Sequence, residues 1–309
     1  MGASRPAKNP ASPSAEVQWA YAVELFLRRD LATGSRRIYK LTLDRVQRHL
    51  DGDDGLATIT PDRLARAVGD AYPAVSPATW NRVIATVRSF ATFCRRQGWI
   101  DTDLTVALER RRIPADHSRS LPAPELERLF TRRGVPLRER ALWRLLYESA
   151  ARANEVLSLN IEDLNLPARR AVTTGKRGDR EVLHFATGAA RLLPRLIEGR
   201  TSGPVFLADR PSAPSRAPAL ADLDPLTGRA RLSYRRAAEL FTSASGGATL
   251  HQLRHAALTH LAEAGVPTVL LMAKSRHASL RSLQRYARPS VEAVAQLTAD
   301  HDPARRRRR

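Results

Sequence analysis

Six side chains that could act together on phosphate lie between residues 152 and 286 of the sequence. In chain order they are Arg152, Lys176, His251, Arg254, His277 and Tyr286. Guanidinium and ammonium groups neutralise phosphate oxygens, imidazole exchanges protons near neutral pH, and a phenol can be activated as a nucleophile. Such a set is suited to nucleophilic displacement at a phosphodiester.

The pair His251 and Arg254 is the most compact part of this set. The two residues are three apart in a segment with a helical pattern, so their side chains face the same side of the helix. The sequence has 8 histidines, and all but four of its 51 lysines and arginines are arginine, so chance predicts about one His-x-x-Arg pair. The pair therefore gains meaning only from the order and spacing of all six residues.

This order and spacing strongly resemble the catalytic domain of tyrosine recombinases, the phage-integrase and Xer-like family. The resemblance covers about residues 121–300, and the helices before it resemble the core-binding domain of that family more loosely. It implies a mainly α fold with a small β-hairpin or sheet, in which an all-α SAM-like core-binding domain precedes an α+β catalytic domain. It also implies a site-specific DNA recombinase or integrase that works through a covalent 3′-phosphotyrosyl intermediate and a Holliday junction.

The resemblance directs the positively charged residues to the phosphate. Arg152 and Arg254 would clamp the non-bridging oxygens, where negative charge increases in the pentacoordinate transition state. His251 and His277 would add hydrogen-bond donors, and His251 would accept the phenol proton as a general base. Lys176, at the tip of a predicted hairpin, would protonate the departing 5′-oxygen.

Tyr286 would be the nucleophile that forms the phosphotyrosyl bond and releases a free 5′-hydroxyl. One phosphodiester replaces another, so no ATP is needed, and no metal or other cofactor is expected. The expected partners are double-stranded DNA and further copies of the chain in a synaptic homotetramer, with the need for accessory proteins undetermined. The last predicted helix would dock on a neighbouring protomer or on its own domain.

Two residues beside this set are expected to affect it. Glu155, three residues after Arg152, matches an acidic position of the family motif and is expected to orient that arginine. Arg276 directly precedes His277, where the family usually has glycine. We expect this arginine either to contact DNA or to crowd a tight turn.

The composition is strongly basic and indicates a polyanionic partner. Lys and Arg number 51 against 31 Asp and Glu, which gives a formal net charge of +20. A hydrophobic fraction of 43% is ordinary for a folded protein and excludes a wholly disordered chain. The only cysteine, Cys94, excludes a disulfide framework and a cysteine zinc cluster. A single thiol fits a reducing cytosol, so we expect a cytoplasmic location. Because no apolar run reaches about 20 residues, we expect no membrane span.

Changes in composition and periodicity divide the chain into five segments. They are a disordered leader at 1–15, a helical core-binding (DNA-binding) domain at 16–113, a linker at 114–120, the catalytic domain at 121–300 and a basic tail at 301–309. The first domain should hold four helices, the third of which begins with Thr60 as N-cap and Pro61 at the first helical position.

The catalytic domain should combine helices with one hairpin, whose strands flank a glycine-containing turn at 175–179. Helices are predicted near 123–133, 137–151, 228–243, 249–264, 267–275, 279–287 and 290–298.

Three arginines of the first domain are candidate DNA contacts: Arg36, Arg82 and Arg88. Periodicity puts Arg82 and Arg88 on the fourth helix, opposite an apolar stripe that contains Val83 and Val87. We expect these side chains to contact phosphates from the solvent face of the helix.

Two other functions share these sequence features. A type IB topoisomerase-like enzyme would use the same pocket to relax single duplexes without exchanging partners. A catalytically idle protein of the same fold would bind DNA without cleaving it. The complete set of six residues argues against the second, and the small helical domain at the N-terminus favours a recombinase over the first.

Overall fold

A computed structural model describes residues 17–50, 55–114, 120–175, 178–210 and 218–276, together with residues 295, 298 and 299. Across these residues the chain is mainly helical, with one three-stranded antiparallel sheet. No helix in this part of the chain is long and apolar enough to cross a membrane. The predicted leader at 1–15, the helix at 279–287, nearly all of that at 290–298 and the tail at 301–309 lie outside the described residues.

The chain forms two compact units, Met1–His117 and Ser118–Arg309. Each unit has its own hydrophobic core. The linker predicted at 114–120 stays a prediction, because residues 115–119 lie outside the described residues.

The first unit is helical over its described residues. Its helices are α1 (Trp19–Leu27), α2 (Thr33–Gln47), a 3₁₀ turn (Leu56–Thr58), α3 (Pro61–Ala71) and α4 (Pro77–Arg96). The predicted start of α3 is confirmed: the Thr60 side chain accepts a hydrogen bond from the Arg63 backbone N–H at 3.3 Å. In the core, the Phe90 ring lies 4.7 Å from Trp19 and 5.5 Å from Phe26 between centroids.

The second unit surrounds α6. Its helices are α5 (Ala123–Thr131), α6 (Leu137–Ser149), α7 (Ala153–Leu157), α8 (Thr187–Leu196), α9 (Tyr234–Ala244), α10 (Leu250–Glu263) and α11 (Thr268–Ser275), with 3₁₀ turns at Ile161–Asp163 and Leu220–Asp222. Trp143 of α6 is buried, and its ring packs edge-on against Phe241 of α9 at 5.4 Å. Because α6 also packs on α8 and α10, it fixes the elements that carry the candidate site.

The sheet contains the predicted hairpin and one further strand. Its strands are β1 (Leu164–Asn165), β2 (Arg170–Thr174) and β3 (Arg180–His184), in that order. In the hairpin register Thr173 lies opposite Glu181, and Thr174 opposite Arg180. The turn between β2 and β3 contains Lys176, which lies outside the described residues.

One predicted helix begins later than expected. The helix predicted at 228–243 starts at Tyr234, where the Ser233 side chain caps it by accepting from the Arg236 N–H at 3.2 Å. The preceding residues are extended because they pair across the fold: the Leu232 N–H donates to the Phe206 carbonyl at 2.8 Å.

Candidate active site

Three of the six predicted residues line one cavity of about 680 Å³: Arg152, His251 and Arg254. They come from the N-terminal end of α7 and the first turns of α10, and the cavity also reaches Thr174 at the end of β2. The remaining lining residues are Ala151, Ala153, Asn154, Glu155, Ser158, Tyr234 and Leu250. A cavity with two guanidiniums and an imidazole is suited to binding an anion.

Arg152 owes its position to a sharp turn between α6 and α7. The helix predicted to run to residue 151 ends at Ser149, and Ala150 adopts the left-handed conformation with φ of 50°. Arg152 is therefore the N-cap residue of α7 instead of the last residue of α6. Its side chain is 45% exposed, so the guanidinium remains accessible from the cavity.

Glu155 holds Arg152 as the sequence predicted. Its Oε1 accepts from Arg152 Nη1 at 2.5 Å, and its Oε2 accepts from the Arg152 backbone N–H at 2.9 Å. Burial alone would raise the pKa of Glu155, but the hydrogen bonds from Arg152 and the positive charge of Arg276 hold that pKa below its ordinary value. The carboxylate thus stays ionised and fixes the arginine through two bonds.

Arg254 is almost completely buried, with 2% of its surface exposed. Its Nη1 donates to the Ala150 carbonyl at 2.8 Å, and its Nη2 donates to the Ser275 carbonyl at 2.7 Å. A buried guanidinium needs such acceptors, since an unpaired charge in the interior is costly. Arg254 therefore ties the turn before Arg152 to the end of α11, and its side chain also lines the cavity.

His251 lies in the first turn of α10, which Thr249 and Gln252 begin with a capping box. The ring is exposed along the cavity, yet the surrounding atoms displace enough water to disfavour the charged form. Desolvation, with the positive charges of Arg254, His255 and Arg152, lowers the pKa of His251. A neutral imidazole at this point can accept a proton.

Arg276 adopts the left-handed conformation at the end of α11, with φ of 56°. This is the strained turn that the sequence raised as one expectation, and a residue other than glycine costs about 1 kcal/mol or more there. The side chain points inward and is 9% exposed: its Nη2 lies 2.6 Å from Glu155 Oε2, and its Nε 3.0 Å from Glu181 Oε2. The guanidinium thus lies between two carboxylates, and the alternative expectation of a DNA contact stays a prediction.

The other three predicted residues, Lys176, His277 and Tyr286, lie outside the described residues. Their roles therefore stay predictions. Gly175 at the end of β2 and Arg276 at the end of α11 are the described neighbours of Lys176 and His277 in the chain.

The candidate DNA contacts of the first unit differ in exposure. Arg36 and Arg82 are exposed, and Arg36 Nη2 donates to the Arg29 carbonyl at 3.3 Å. Arg88 is half-buried, and its Nη2 donates to the Leu108 carbonyl at 2.7 Å. The expectation that Arg88 lies on an open solvent face is therefore wrong, since the segment after α4 covers it.

Sequence reasoning missed several residues that the fold brings to the cavity. Tyr234 lines it from the first residue of α9, and Asn154 and Ser158 line it from α7 and the residue after it. The four-residue spacing of Asn154 and Ser158 puts them on one helix face and was an available signal. Within the described residues, no group of three or more His, Cys, Asp or Glu side chains is arranged to hold a metal ion.

Comparison with known families accounts for most of the chain. The model of the phage integrase family matches residues 119–293, and that of the phage integrase N-terminal SAM-like domain matches residues 20–98. The chain is 27% identical to a protein of Mycobacterium leprae (strain TN) named tyrosine recombinase XerD, over 92% of this chain and 95% of that protein. It is 28% identical to tyrosine recombinase XerC of Erythrobacter litoralis (strain HTCC2594), over 91% of this chain and 92% of that protein.

Solved structures share the fold at low sequence identity. A lambda integrase dimer bound to a COC′ core site matches with a TM-score of 0.69 and 16% identity, over 88% of this chain and 95% of the other. A lambda integrase tetramer bound to a Holliday junction matches with a TM-score of 0.67 and 15% identity, over 87% of this chain and 76% of the other. With the two family matches, these likenesses confirm the predicted fold class.

Proposed function

The chain belongs to the phage integrase family and is a tyrosine recombinase, and from this membership we propose how its residues cleave and rejoin DNA at specific sites. The observation that carries the proposal is the single cavity in which Arg152, His251 and Arg254 meet. A scissile phosphate bound there would face two guanidiniums and a neutral imidazole, which are the groups that a phosphodiester displacement needs.

The two arginines act on the charge of the phosphate. Arg152 is accessible from the cavity and held by Glu155, so it binds a non-bridging oxygen without losing much side-chain freedom. Arg254 is fixed by the carbonyls of Ala150 and Ser275 and approaches from the interior. Both are permanently charged and fixed before the substrate arrives, so they stabilise the transition state with little reorganisation.

Proton transfer and bond exchange involve the remaining residues of the set. Tyr286 attacks the phosphorus, its phenol proton passes to His251, and the 5′-oxygen departs with a proton from Lys176. The products are a 3′-phosphotyrosyl bond and a free 5′-hydroxyl, and attack by a 5′-hydroxyl in the reverse direction rejoins a strand. His277 adds a hydrogen-bond donor to the phosphate.

The substrate is double-stranded DNA, and the active assembly is a homotetramer that exchanges strands through a Holliday junction. The lambda integrase tetramer, whose fold the chain shares, is bound to such a junction, which supports this assembly. The large positive net charge supports a DNA partner. A DNA substrate in turn favours a cytoplasmic location.

The test captures the covalent intermediate from a mixture of DNA sequences, so that no single target site has to be chosen. The pool contains duplexes with a randomised core, each nicked beside one potential cleavage position. Cleavage there releases a short fragment that diffuses away with the 5′-hydroxyl, so the strand cannot be rejoined and the enzyme stays covalently bound. We expect a covalent protein–DNA adduct with the wild type and none with Tyr286→Phe.

A tyrosine that lines the cavity provides the matched control. Tyr234→Phe removes this phenol, and we expect the variant to form the adduct. An adduct that persists in Tyr286→Phe and disappears in Tyr234→Phe would overturn the assignment of the nucleophile.

The captured sequences then separate the alternatives. A recombinase should exchange strands between two duplexes that carry the enriched sequence. Relaxation of supercoiled DNA without any exchange would identify a topoisomerase-like enzyme, and binding without any adduct would identify an idle DNA-binding protein.

A further inference from the structure

Arg276 occupies an unusual electrostatic position, because one guanidinium contacts two carboxylates from distant parts of the chain. Glu155 belongs to α7, and Glu181 belongs to β3. The contact with Glu155 is a hydrogen bond of 2.6 Å, and the contact with Glu181 is an ion pair of 3.0 Å. Both contacts are largely shielded from solvent, so they are screened less than a surface pair would be.

The Glu155 side of this contact leads directly to the phosphate-binding arginine. Glu155 Oε2 accepts from both the Arg276 side chain and the Arg152 backbone, while its Oε1 accepts from the Arg152 side chain. Any shift of Arg276 therefore moves the carboxylate that orients Arg152.

The Glu181 side leads to the hairpin turn. A Cβ atom added to Gly175 would come within 2.7 Å of Glu181 Oε1, so the Glu181 carboxylate packs directly against the backbone next to Lys176. A side chain at position 175 would require the Glu181 carboxylate to shift. The carboxylate that Arg276 contacts thus lies against Gly175, the residue that precedes Lys176 in the chain.

The turn that carries Arg276 is itself held on both sides. Arg276 Nη1 donates to the Lys274 carbonyl at 3.0 Å, and Arg254 donates to the carbonyl of Ser275 at 2.7 Å. The side chain thus starts from a fixed point, although the left-handed backbone is costly for an arginine. A costly conformation that is kept in place by its own side-chain contacts indicates a role for that side chain.

We propose that Arg276 is a positioning residue of the strand-transfer reaction: by joining Glu155 to Glu181 it holds the β2–β3 hairpin, and with it Lys176, in register with Arg152. The proposal rests on the function proposed above, because it concerns the alignment of the proton donor with the phosphate clamp.

The test compares two DNA substrates in single-turnover cleavage. One has the ordinary 5′-oxygen at the scissile bond, and the other has a bridging 5′-sulfur, whose thiolate leaves without a proton. Glu181→Gln cuts only the hairpin side of the contact, so it should slow the oxygen substrate by about 10- to 100-fold and leave the sulfur substrate near the wild-type rate. Arg276→Gly disturbs both sides, so sulfur should restore its rate only in part.

Arg169→Gly is the matched control. Arg169 also has a left-handed backbone, with φ of 49°, but it is exposed in the turn between β1 and β2 and donates to Thr187 Oγ1 at 3.0 Å. Its replacement removes a similar strain and the same charge without touching either carboxylate. We expect wild-type cleavage of both substrates, and thermal unfolding of all the variants reports whether they fold.

Lys176→Ala separates failure of this inference from failure of the proposed function. If sulfur rescues Lys176→Ala but not Glu181→Gln, or if Glu181→Gln cleaves the oxygen substrate at the wild-type rate, the positioning role is wrong and the proposed function stands. If sulfur does not rescue Lys176→Ala, both the proton-donor role and the positioning role that depends on it are wrong.

Discussion

At the scale of a single residue, Arg254 combines two duties that are usually separate. Its guanidinium lines the cavity, and it also links the turn after α6 to the last residue of α11 through two carbonyl acceptors. Under the proposed function, substitution of Arg254 should therefore affect both folding and chemistry. Substitution of Arg152, with nearly half of its side chain exposed, should affect mainly chemistry.

Replacement of these two arginines by lysine should separate the duties. Lysine cannot reach two carbonyls with a planar fork, so Arg254→Lys should lower the free energy of unfolding by about 2–3 kcal/mol. Arg152→Lys should change it by less than about 1 kcal/mol. Urea unfolding gives these values, and the covalent adduct should decrease in both variants. Equal unfolding midpoints for Arg254→Lys and the wild type would contradict the assigned contacts.

The lowered pKa of His251 predicts where cleavage is lost in acid. The imidazole accepts a proton only when neutral, so cleavage at limiting DNA should fall as the pH decreases through its pKa, at a pH below about 6.5. The sulfur substrate isolates this step from protonation of the leaving group. His255→Gln removes one neighbouring positive charge, so it should raise the pKa of His251 and shift the loss of cleavage in acid to higher pH. An unshifted pH profile in this variant, or a wild-type loss of cleavage at a pH above the ordinary histidine pKa, would count against His251 as the base.

The sequence predicts site residues only where the order and spacing of the family pattern identify them. Arg152, His251 and Arg254 belong to that pattern, and the fold brings all three to one cavity. The contact between Arg276 and Glu181 gave no such signal, because it depends on how the end of α11 packs against β3. Local periodicity carries no information about that packing.

At the scale of an element, α4 shows the same limit. Its apolar stripe correctly predicts the buried face, including Val83 and Val87. The stripe also predicts that Arg82 and Arg88 lie together on the opposite face. The segment after α4, however, packs on Arg88 and accepts a hydrogen bond from it at the Leu108 carbonyl. A helical pattern shows which side of a helix avoids water; it does not show which later segment covers the other side.

The two arginines of α4 should therefore behave differently when changed to alanine. Arg82→Ala removes an exposed charge and should weaken DNA binding and reduce the salt slope of the binding constant by about one, with unchanged stability. Arg88→Ala removes the donor to the Leu108 carbonyl and should lower the free energy of unfolding by about 1–2 kcal/mol. Anisotropy titrations at several salt concentrations and urea unfolding measure the two effects, and a reversed pattern would refute the assignment.

The start of α7 predicts a pH-dependent contribution to stability. The pKa of Glu155 is lowered in the folded state from its ordinary value of 4.5. The ionised carboxylate therefore stabilises the fold fully at pH values above 4.5, and this stabilisation is lost as the pH falls through the lowered pKa. Glu155→Gln should lower the free energy of unfolding at neutral pH by about 2 kcal/mol and flatten its decline in acid. Glu239→Gln, which alters an exposed pair with Arg235, is the control and should leave both nearly unchanged. An unaltered acid decline in Glu155→Gln would exclude this role.

Other elements were missed for similar physical reasons. The strand β1 has two residues, too few to show alternation, and α8 contains Pro194, which locally indicates a break. Residues 230–232 fall in a predicted helix, although they pair with the segment at 206–208. That pairing depends on partners distant in sequence.

At the scale of the whole molecule, the net charge of +20 predicts that the protein binds DNA even when it cannot cleave it. Contacts of arginine with phosphates release counterions, so the affinity for any duplex should fall steeply with salt. Tyr286→Phe keeps every charge and should bind DNA with the wild-type salt slope while forming no adduct. The comparison needs only anisotropy titrations and a denaturing gel; a changed slope would mean that Tyr286 contributes to binding itself.

The left-handed backbone at Arg276 also affects how variants at this position would score in mutational scanning. Glycine relieves about 1 kcal/mol of backbone strain there, while it removes two ion contacts, so the two effects on folding oppose each other. A screen that reads cellular abundance should therefore rank Arg276→Gly close to the wild type. A screen that reads recombination should rank it among the losses, and that divergence would mark a residue kept for its effect on turnover.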